Sequence, residues 1–141
     1  MPISRSLEAT RGLAKDLAAR LKPGDVVLLS GPLGSGKTCF AAGVAAALGC
    51  DEAQVSSPTF ALVHEYPGRG LKVWHIDLYR LSSRREVEDL GLDEVFGAGG
   101  VCLVEWPEKL GDLAPTGAWR VELERTSETE RRVELKPPGP R

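Results

Sequence analysis

The sequence predicts a single α/β domain with a mixed central sheet flanked by helices, and three observations support this fold class. Residues 26–29 and 101–104 are short, continuous apolar runs, which are typical of strands buried on both faces of a sheet. The first run leads through a glycine-rich turn into an alanine-rich segment with helical spacing. Two further pairs of strand-like runs have the spacing of hairpins. The sheet is therefore expected to be parallel near the glycine-rich turn and antiparallel where the hairpins join it.

Two helices are expected in the first third of the chain. Residues 7–21 have apolar side chains at helical spacing behind Ser6, which is a good N-cap, and Pro23-Gly24 ends this segment. The alanine-rich segment after the glycine-rich turn stops at Gly49, where a residue in the left-handed conformation can close a helix. The order strand, glycine-rich turn, helix follows from these boundaries.

Two hairpins are predicted further along the chain. Residues 60–66 and 71–77 are strand-like runs on either side of the turn residues 67–70, which read Pro-Gly-Arg-Gly. Residues 119–124 and 131–136 form a second and more charged pair. Both hairpins would add antiparallel strands to the parallel centre of the sheet.

A short helix and a tail complete the predicted organisation. The helix is expected to open at Ser82 or Ser83, with Glu86 completing a capping box on Ser83. Residues 1–136 are expected to form the domain, and the proline-rich residues 137–141 a disordered tail.

Composition indicates an ordinary globular protein of the cytoplasm. The 141 residues are 42% hydrophobic and 27% charged, with a net charge of −2, which does not favour nucleic acid as a direct ligand. No apolar run approaches the roughly 20 residues needed to cross a bilayer, and the N-terminus lacks the layout of a signal peptide. Cys39, Cys50 and Cys102 match no zinc or redox spacing, so they are interpreted as reduced, structural thiols.

Residues 31–38 read Gly-Pro-Leu-Gly-Ser-Gly-Lys-Thr and fit the phosphate-binding pattern G-x-x-x-x-G-K-[ST] of a P-loop. Glycines allow the backbone angles that turn successive N–H groups toward an anion, at the positive end of the following helix. Lys37 is expected to bridge the β- and γ-phosphates as part of the catalytic machinery, and Thr38 to offer its hydroxyl to Mg²⁺. The predicted nucleotide contacts in this loop are Gly31, Leu33, Gly34, Ser35, Gly36, Lys37 and Thr38.

Two acids are candidates for the chemistry beside the loop. Mg²⁺ bound by Thr38 needs a carboxylate, usually at the end of an adjacent strand. Asp77 and Glu105 each stand where a predicted strand ends, although either acid alone could equally face solvent. The shorter Asp77 is assigned to Mg²⁺. The longer Glu105 is assigned to orienting or deprotonating the attacking water, and it is also kept as a candidate metal ligand.

Three other residues admit two interpretations. Thr59 lies in a Ser-Pro-Thr loop before the first hairpin, and a loop hydroxyl near the γ-phosphate can act as a nucleotide-sensing switch. The spacing alone favours a turn or strand entry for Thr59. His75 is either a packed strand residue, which is favoured, or a group behind the metal ligands. Trp106 is either a core residue or a surface anchor.

Five sequence blocks in order resemble the bacterial TsaE ATPases, which help to make threonylcarbamoyladenosine in tRNA. The blocks are the N-terminal helix with Thr10, the loop of residues 31–38, Val-Ser-Ser-Pro-Thr-Phe at 55–60, His-Ile-Asp-Leu-Tyr-Arg at 75–80 and Val-Glu-Trp-Pro-Glu at 104–108. Together they span nearly the whole chain.

The resemblance implies roles for individual residues. It places Thr59 in a switch with a part in catalysis, assigns Asp77 to magnesium, and makes Glu105 necessary for ATPase activity. It adds Thr10 and Cys39 to the nucleotide contacts. Cys39 stands where the family commonly has a second threonine, so a hydroxyl contact to the α-phosphate is expected to be weakened or lost.

The resemblance also implies cofactors and partners. These are ATP and Mg²⁺, a TsaD-type transferase and its TsaB-type companion, with hydrolysis that is weak alone and resets their complex. Contact with tRNA is either indirect or left undetermined by the sequence. Adenine is favoured mostly by the resemblance, and guanine has less support because no Asn-Lys-x-Asp element follows the loop.

Two other functions stay open from the sequence. The chain could be a nucleotide-gated binding module, in which ATP binding alone drives assembly. It could also be a small-molecule phosphotransferase with Arg80, Arg84 or Arg85 on a lid, although the chain is short and shows no clear lid segment.

Overall fold

The structure of the chain, a computed structural model, describes residues 3–55 and 62–138. Strands and helices follow one another along most of this length. In chain order the elements are β1 (Ile3–Ser4), α1 (Leu7–Arg20), β2 (Val26–Ser30), α2 (Lys37–Ala47), α3 (Glu52–Val55), β3 (Val63–Pro67), β4 (Lys72–Asp77), α4 (Arg84–Asp89), α5 (Leu92–Phe96), β5 (Val101–Glu105), the 3₁₀ helix η1 (Pro107–Leu113), β6 (Trp119–Arg125) and β7 (Arg131–Lys136).

The strands of the described residues form one seven-stranded sheet in the order β1-β7-β6-β2-β5-β4-β3. At its centre, β2 is parallel to both β5 and β6, and β4 is parallel to β5. The pairs β3–β4, β6–β7 and β1–β7 are antiparallel. The predicted fold class is confirmed: the sheet is mixed, with a parallel centre and antiparallel hairpins toward its edges.

The side chains of β2 show why the sheet is covered on both faces. Val27 and Leu29 point into an apolar cluster beneath α1 and α2, whereas Val26 and Leu28 point into a second cluster beneath α4, α5 and η1. All four are buried, with at most 6% of the residue surface exposed. Because β2 is buried on both faces, its carboxyl end opens between the two helical layers, which is where ligands bind in sheets of this kind.

The first hairpin differs from the prediction at its turn. β3 includes Pro67, which pairs with Lys72 instead of lying in the turn. A proline is tolerated there because β3 is the edge strand and need not donate a hydrogen bond outward. The turn is closed by Gly68, whose N–H donates to the Leu71 carbonyl at 2.8 Å. The predicted start at residue 60 lies outside the described residues.

Side-chain caps start two of the helices as the sequence predicts. The Ser6 hydroxyl accepts a hydrogen bond from the N–H of Ala9 at 3.0 Å and opens α1. The Ser83 hydroxyl accepts from the N–H of Glu86 at 3.2 Å and opens α4. The Glu86 carboxylate, however, accepts from the N–H of Ser82 at 3.1 Å, so the capping box closes one residue earlier than expected. Hydrogen bonds from Ser82 lower the pKa of Glu86.

The tail is only partly described. Residues 137 and 138 have no helix or strand, and residues 139–141 lie outside the described part of the chain, so the disordered tail stays a prediction. Between residues 3 and 138, leaving out 56–61, none of the helices combines the length and the apolar character required to span a bilayer.

The cysteines are expected to differ in reactivity. Cys39 is exposed, whereas Cys50 and Cys102 are buried. Burial raises the pKa of the Cys50 thiol and raises that of Cys102 to about 12, and the thiolate is the reactive form. We therefore expect a thiol reagent to modify Cys39 alone in the native protein and all three thiols after denaturation, as measured by mass spectrometry. Rapid modification of Cys102 in the native protein would contradict the buried location.

Candidate functional site

The glycine-rich loop joins the carboxyl end of β2 to the first turn of α2. Gly31, Gly34 and Gly36 have φ angles of +151°, +81° and +97°, in the region that side chains rarely adopt. A Cβ atom at Gly31 would overlap the carbonyl group of Leu123 and lie 2.8 Å from the Ser35 hydroxyl. The structure thus confirms the conformational demands that the motif implies, and it adds a close approach between the loop and β6.

Lys37 is held inside this loop. It is a buried charged residue, with 5% of its surface exposed. Its ammonium group donates hydrogen bonds to the carbonyls of Gly31 and Pro32, the latter at 3.4 Å. The same group lies 3.6 Å from the centroid of the Trp106 ring, in the geometry of a cation–π contact. The cation therefore lies between the loop carbonyls and the Trp106 ring, beside the loop that the motif assigns to nucleotide phosphates.

Burial and nearby acids have opposite effects on the pKa of the Lys37 ammonium group. Burial is the larger effect and lowers the pKa of the Lys37 ammonium group. The negative charges of Glu105, Glu108 and Asp77 act in the opposite direction. A second source of negative charge, such as a polyphosphate, would further favour the ammonium form.

Thr38 and Glu105 meet across 67 positions of sequence. The Thr38 hydroxyl lies 2.9 and 3.1 Å from the two carboxylate oxygens of Glu105. Glu105 ends β5, which is the parallel neighbour of β2, and only 2% of its surface is exposed. The interpretation of Glu105 as a strand-end acid facing solvent is therefore wrong.

Asp77 lies beside Glu105 but makes a different contact. The two residues are directly paired in the register of β4 and β5, so their side chains leave the same face. The Asp77 carboxylate accepts a hydrogen bond from the N–H of Tyr79 at 3.0 Å. The structure thus brings both predicted acids to one edge of the sheet and places Glu105 against the Thr38 hydroxyl. The division of roles between the acids stays a prediction.

His75 and Trp106 contact the site, which the sequence patterns did not favour. The Nε2 atom of His75 lies 2.6 Å from the Glu105 carboxylate. Trp106 covers Lys37 and contacts Tyr79, with the ring centroids 4.9 Å apart and the ring planes tilted by 40°. Trp106 also has φ of +58°, an uncommon conformation for a residue with a side chain and one that clusters at functional sites. The signal in the sequence was position alone: each residue lies within two places of a predicted acid.

The other predicted contacts have varied surroundings. Ser35 is buried, and its hydroxyl has no hydrogen-bond partner among the described residues. Leu33 is 73% exposed at the tip of the loop. Cys39 is exposed beside Thr38. Thr10 is buried in α1, where its hydroxyl donates to the Ser6 carbonyl at 3.1 Å. Thr59 lies outside the described residues.

Arg131 also lies against the loop, and no sequence pattern pointed to it. It is 9% exposed, and its guanidinium donates to the carbonyls of Ser127 and Glu130, each at 3.0 Å. A Cβ atom at Gly36 would lie 3.4 Å from the Nε atom of Arg131. This side chain holds the turn between β6 and β7 and passes close to the end of the loop.

These residues fit a magnesium nucleotide. The unpartnered Ser35 hydroxyl and the left-handed glycines suit oxygen atoms of phosphate. No group of three or more acidic, histidine or cysteine side chains that could hold a metal was found among the described residues. Mg²⁺ usually takes only one or two carboxylates and completes its octahedron with water and substrate phosphates. Thr38 with Glu105 or Asp77 matches that sparse set.

Comparison with protein families gives one assignment. A family model described as threonylcarbamoyl adenosine biosynthesis protein TsaE matches residues 4–133. The TsaE protein of Bacillus subtilis strain 168 is 44% identical over 126 residues, covering 89% of this chain and 78% of that protein. The TsaE protein of Treponema pallidum is 41% identical, covering 80% of this chain and 82% of that one. The TsaE protein of Rickettsia bellii is 39% identical, with coverages of 92% and 89%.

A solved structure agrees with these sequence matches. The crystal structure of Bacillus subtilis YdiB superimposes with a TM-score of 0.79 at 34% sequence identity. The match covers 98% of this chain and 84% of that one. The likeness therefore extends over the whole fold rather than over the glycine-rich loop alone.

Proposed function

This chain belongs to the TsaE family of threonylcarbamoyladenosine biosynthesis proteins, and from that membership we propose that it is a Mg²⁺-dependent ATPase. Its hydrolysis of ATP resets a complex between a TsaD-type transferase and a TsaB-type companion. The family places the chain in the biosynthesis of threonylcarbamoyladenosine in tRNA. The cofactors, the reaction and the partners are the content of the proposal.

The contact between Thr38 and Glu105 carries the proposal. A carboxylate with 2% exposure is costly to bury unless hydrogen bonds and a nearby opposite charge compensate it, as a bound cation would. It lies directly below a loop built for phosphate and against the hydroxyl that the motif assigns to Mg²⁺. This combination supports a site for phosphoryl chemistry over a purely structural acid.

The loop residues would bind the polyphosphate. Lys37 would exchange the carbonyls of Gly31 and Pro32 for phosphate oxygens, with no change of its place in the fold. The Ser35 hydroxyl would gain the hydrogen bond that it lacks among the described residues. The N-terminus of α2 adds a favourable dipole for the negative phosphates.

The acids and Thr38 would hold the metal and the water. A bound Mg²⁺ ion supplies neutralisation of charge on the phosphate oxygens. The Thr38 oxygen can offer a lone pair to the metal while its O–H group still donates a hydrogen bond to Glu105, because a hydroxyl group can donate and accept at the same time. Asp77, at the next position along the sheet edge, is the second carboxylate in reach of this region. In this arrangement Glu105 also orients the attacking water.

The side chains exposed around the opening of the site favour contact with a partner protein. Leu33 on the loop is 73% exposed, and Tyr79, whose ring contacts that of Trp106, is 47% exposed. Large apolar side chains exposed around a ligand site are suited to contact by another protein. A partner bound there would sense the nucleotide and could complete the catalytic arrangement, as expected for hydrolysis that is weak in the isolated chain.

The test is ATP hydrolysis in Mg²⁺ by the purified chain, alone and with the TsaD- and TsaB-type proteins. We expect slow hydrolysis alone and clear stimulation by the two partners together, measured as phosphate release. Omission of Mg²⁺ is expected to abolish turnover. ATP binding without turnover under any condition would replace the proposal with a nucleotide-gated binding module. Phosphate transfer to an added small acceptor would replace it with a phosphotransferase.

A further inference from the structure

His75 makes a short contact with the acid at the centre of the site. Its Nε2 atom lies 2.6 Å from the Oε2 atom of Glu105. The His75 side chain is 14% exposed and that of Glu105 is 3% exposed, so the contact is largely shielded from water. Hydrogen bonds to ionised groups are shorter and stronger than neutral ones, and shielding strengthens them further.

The sheet register explains how the two side chains meet. His75 on β4 is paired with Leu103 on β5, two residues before Glu105. His75 and Glu105 therefore leave the same face of the sheet as diagonal neighbours, a separation that long side chains can bridge. His75 lies inside the β-ladder, with β3 on its other side and His64 as the opposite residue. Its backbone is held by strands on both sides.

The Glu105 carboxylate needs more than one donor. An ionised carboxylate is an acceptor only, with two oxygens and about four lone-pair sites. Thr38 supplies one proton, which is shared between oxygens at 2.9 and 3.1 Å. His75 approaches one of these oxygens from the neighbouring strand. With Nε2 as the donor, the imidazole fixes the carboxylate plane and leaves the Thr38 hydroxyl in place.

We propose that His75 is a positioning residue that holds the Glu105 carboxylate in the orientation that receives the Thr38 hydroxyl and shapes the Mg²⁺ site. The inference rests on the proposed function. His75 acts through Glu105 and does not touch nucleotide or metal. The role is that of a partner behind a metal ligand, whose loss typically costs 10- to 100-fold in metal affinity or activity.

Two substitutions separate hydrogen bonding from packing. In His75→Gln, the side-chain amide nitrogen reaches about as far as Nε2 of histidine, so it can still donate to Glu105. In His75→Asn, the amide nitrogen reaches only about as far as Nδ1. We expect His75→Asn to lower kcat for partner-stimulated hydrolysis by about 10- to 100-fold with little change in KM for ATP. We expect His75→Gln to recover most of the rate.

A measurement that does not need turnover accompanies the rates. Binding of a fluorescent ATP analogue carrying a methylanthraniloyl group is titrated with Mg²⁺ for each variant. The Mg²⁺ midpoint is expected to rise by about 10-fold or more in His75→Asn and to stay near the wild-type midpoint in His75→Gln. Glu94→Gln, at an exposed glutamate on α5, is the control and should leave rate and midpoint unchanged.

The outcomes are decisive in each case. Equal behaviour of the Asn and Gln variants, whether both are active or both impaired, overturns the proposal. If His75→Asn unfolds, as judged by circular dichroism, His75→Gln decides: a wild-type Mg²⁺ midpoint supports the proposal, and a raised midpoint overturns it. If the wild-type chain hydrolyses no ATP even with partners, the proposed ATPase fails, and the Mg²⁺ midpoints still decide the role of His75.

Discussion

Glu105→Gln is expected to lower partner-stimulated ATP hydrolysis by about 100-fold or more, the lower end of what a positioned acid–base group contributes. The glutamine amide preserves the volume of the side chain and one acceptor oxygen for the Thr38 hydroxyl. It removes the negative charge that lies against Thr38 and beside Asp77. In the proposed function, loss of that charge would weaken the metal site and leave the attacking water without a base. The measurement is the rate of phosphate release with both partners present.

Binding of ATP is expected to survive the same substitution, because Lys37 and the glycine loop are unchanged. Glu94→Gln is the matched control, since Glu94 is an exposed glutamate on α5. It should have the wild-type rate. Full hydrolysis by Glu105→Gln would show that the buried acid is structural. In that case Asp77 becomes the candidate acid for catalysis.

Gly31→Ala is expected to destabilise the fold by about 3 kcal/mol or more, which is the range of severe overpacking. The added Cβ would overlap the carbonyl group of Leu123, a backbone atom of β6 that cannot rotate away. It would also lie 2.8 Å from the Ser35 hydroxyl, and φ at this position is +151°. The clash would separate β2 from β6 at the start of the glycine-rich loop. Urea unfolding followed by circular dichroism measures the change.

Two other glycines make the comparison specific. Gly34 has φ of +81° but open space at its Cβ position, so Gly34→Ala should cost only the backbone strain, about 1–2 kcal/mol. Gly12 lies within α1, also with open space, and Gly12→Ala should stabilise the chain by roughly 0.5–1 kcal/mol. If Gly31→Ala were as stable as Gly34→Ala, the close approach to Leu123 would be wrong.

Much of the fold could be predicted because its signals are local. Each of these signals lies within a single helix or strand. Examples are the spacing of apolar residues in α1, the Ser6 cap and the continuous apolar run of β2. The turn of the first hairpin was placed wrongly, since Pro67 belongs to β3. A proline normally indicates a break, and only the position of β3 at the edge of the sheet makes it acceptable within the strand.

The conformation of the glycine-rich loop could also be predicted from the sequence alone. The backbone angles and side chains that the motif requires lie within eight consecutive residues, 31–38, so the chain order contains the whole constraint. The two acids were identified for a related reason. Each one ends an apolar strand, and the ends of parallel strands lie at one edge of a sheet.

The sequence by itself therefore determined the fold class, the conformation of the glycine-rich loop and the pair of candidate acids. Only the tertiary structure decided which side chains touch: Thr38 with Glu105, and Glu105 with His75. It also decided that Trp106 lies over Lys37. The physical reason is that these contacts depend on strand order and on the register between β4, β5 and β2. A register shift of one residue would turn each side chain to the other face of the sheet. No local sequence pattern specifies the register between strands.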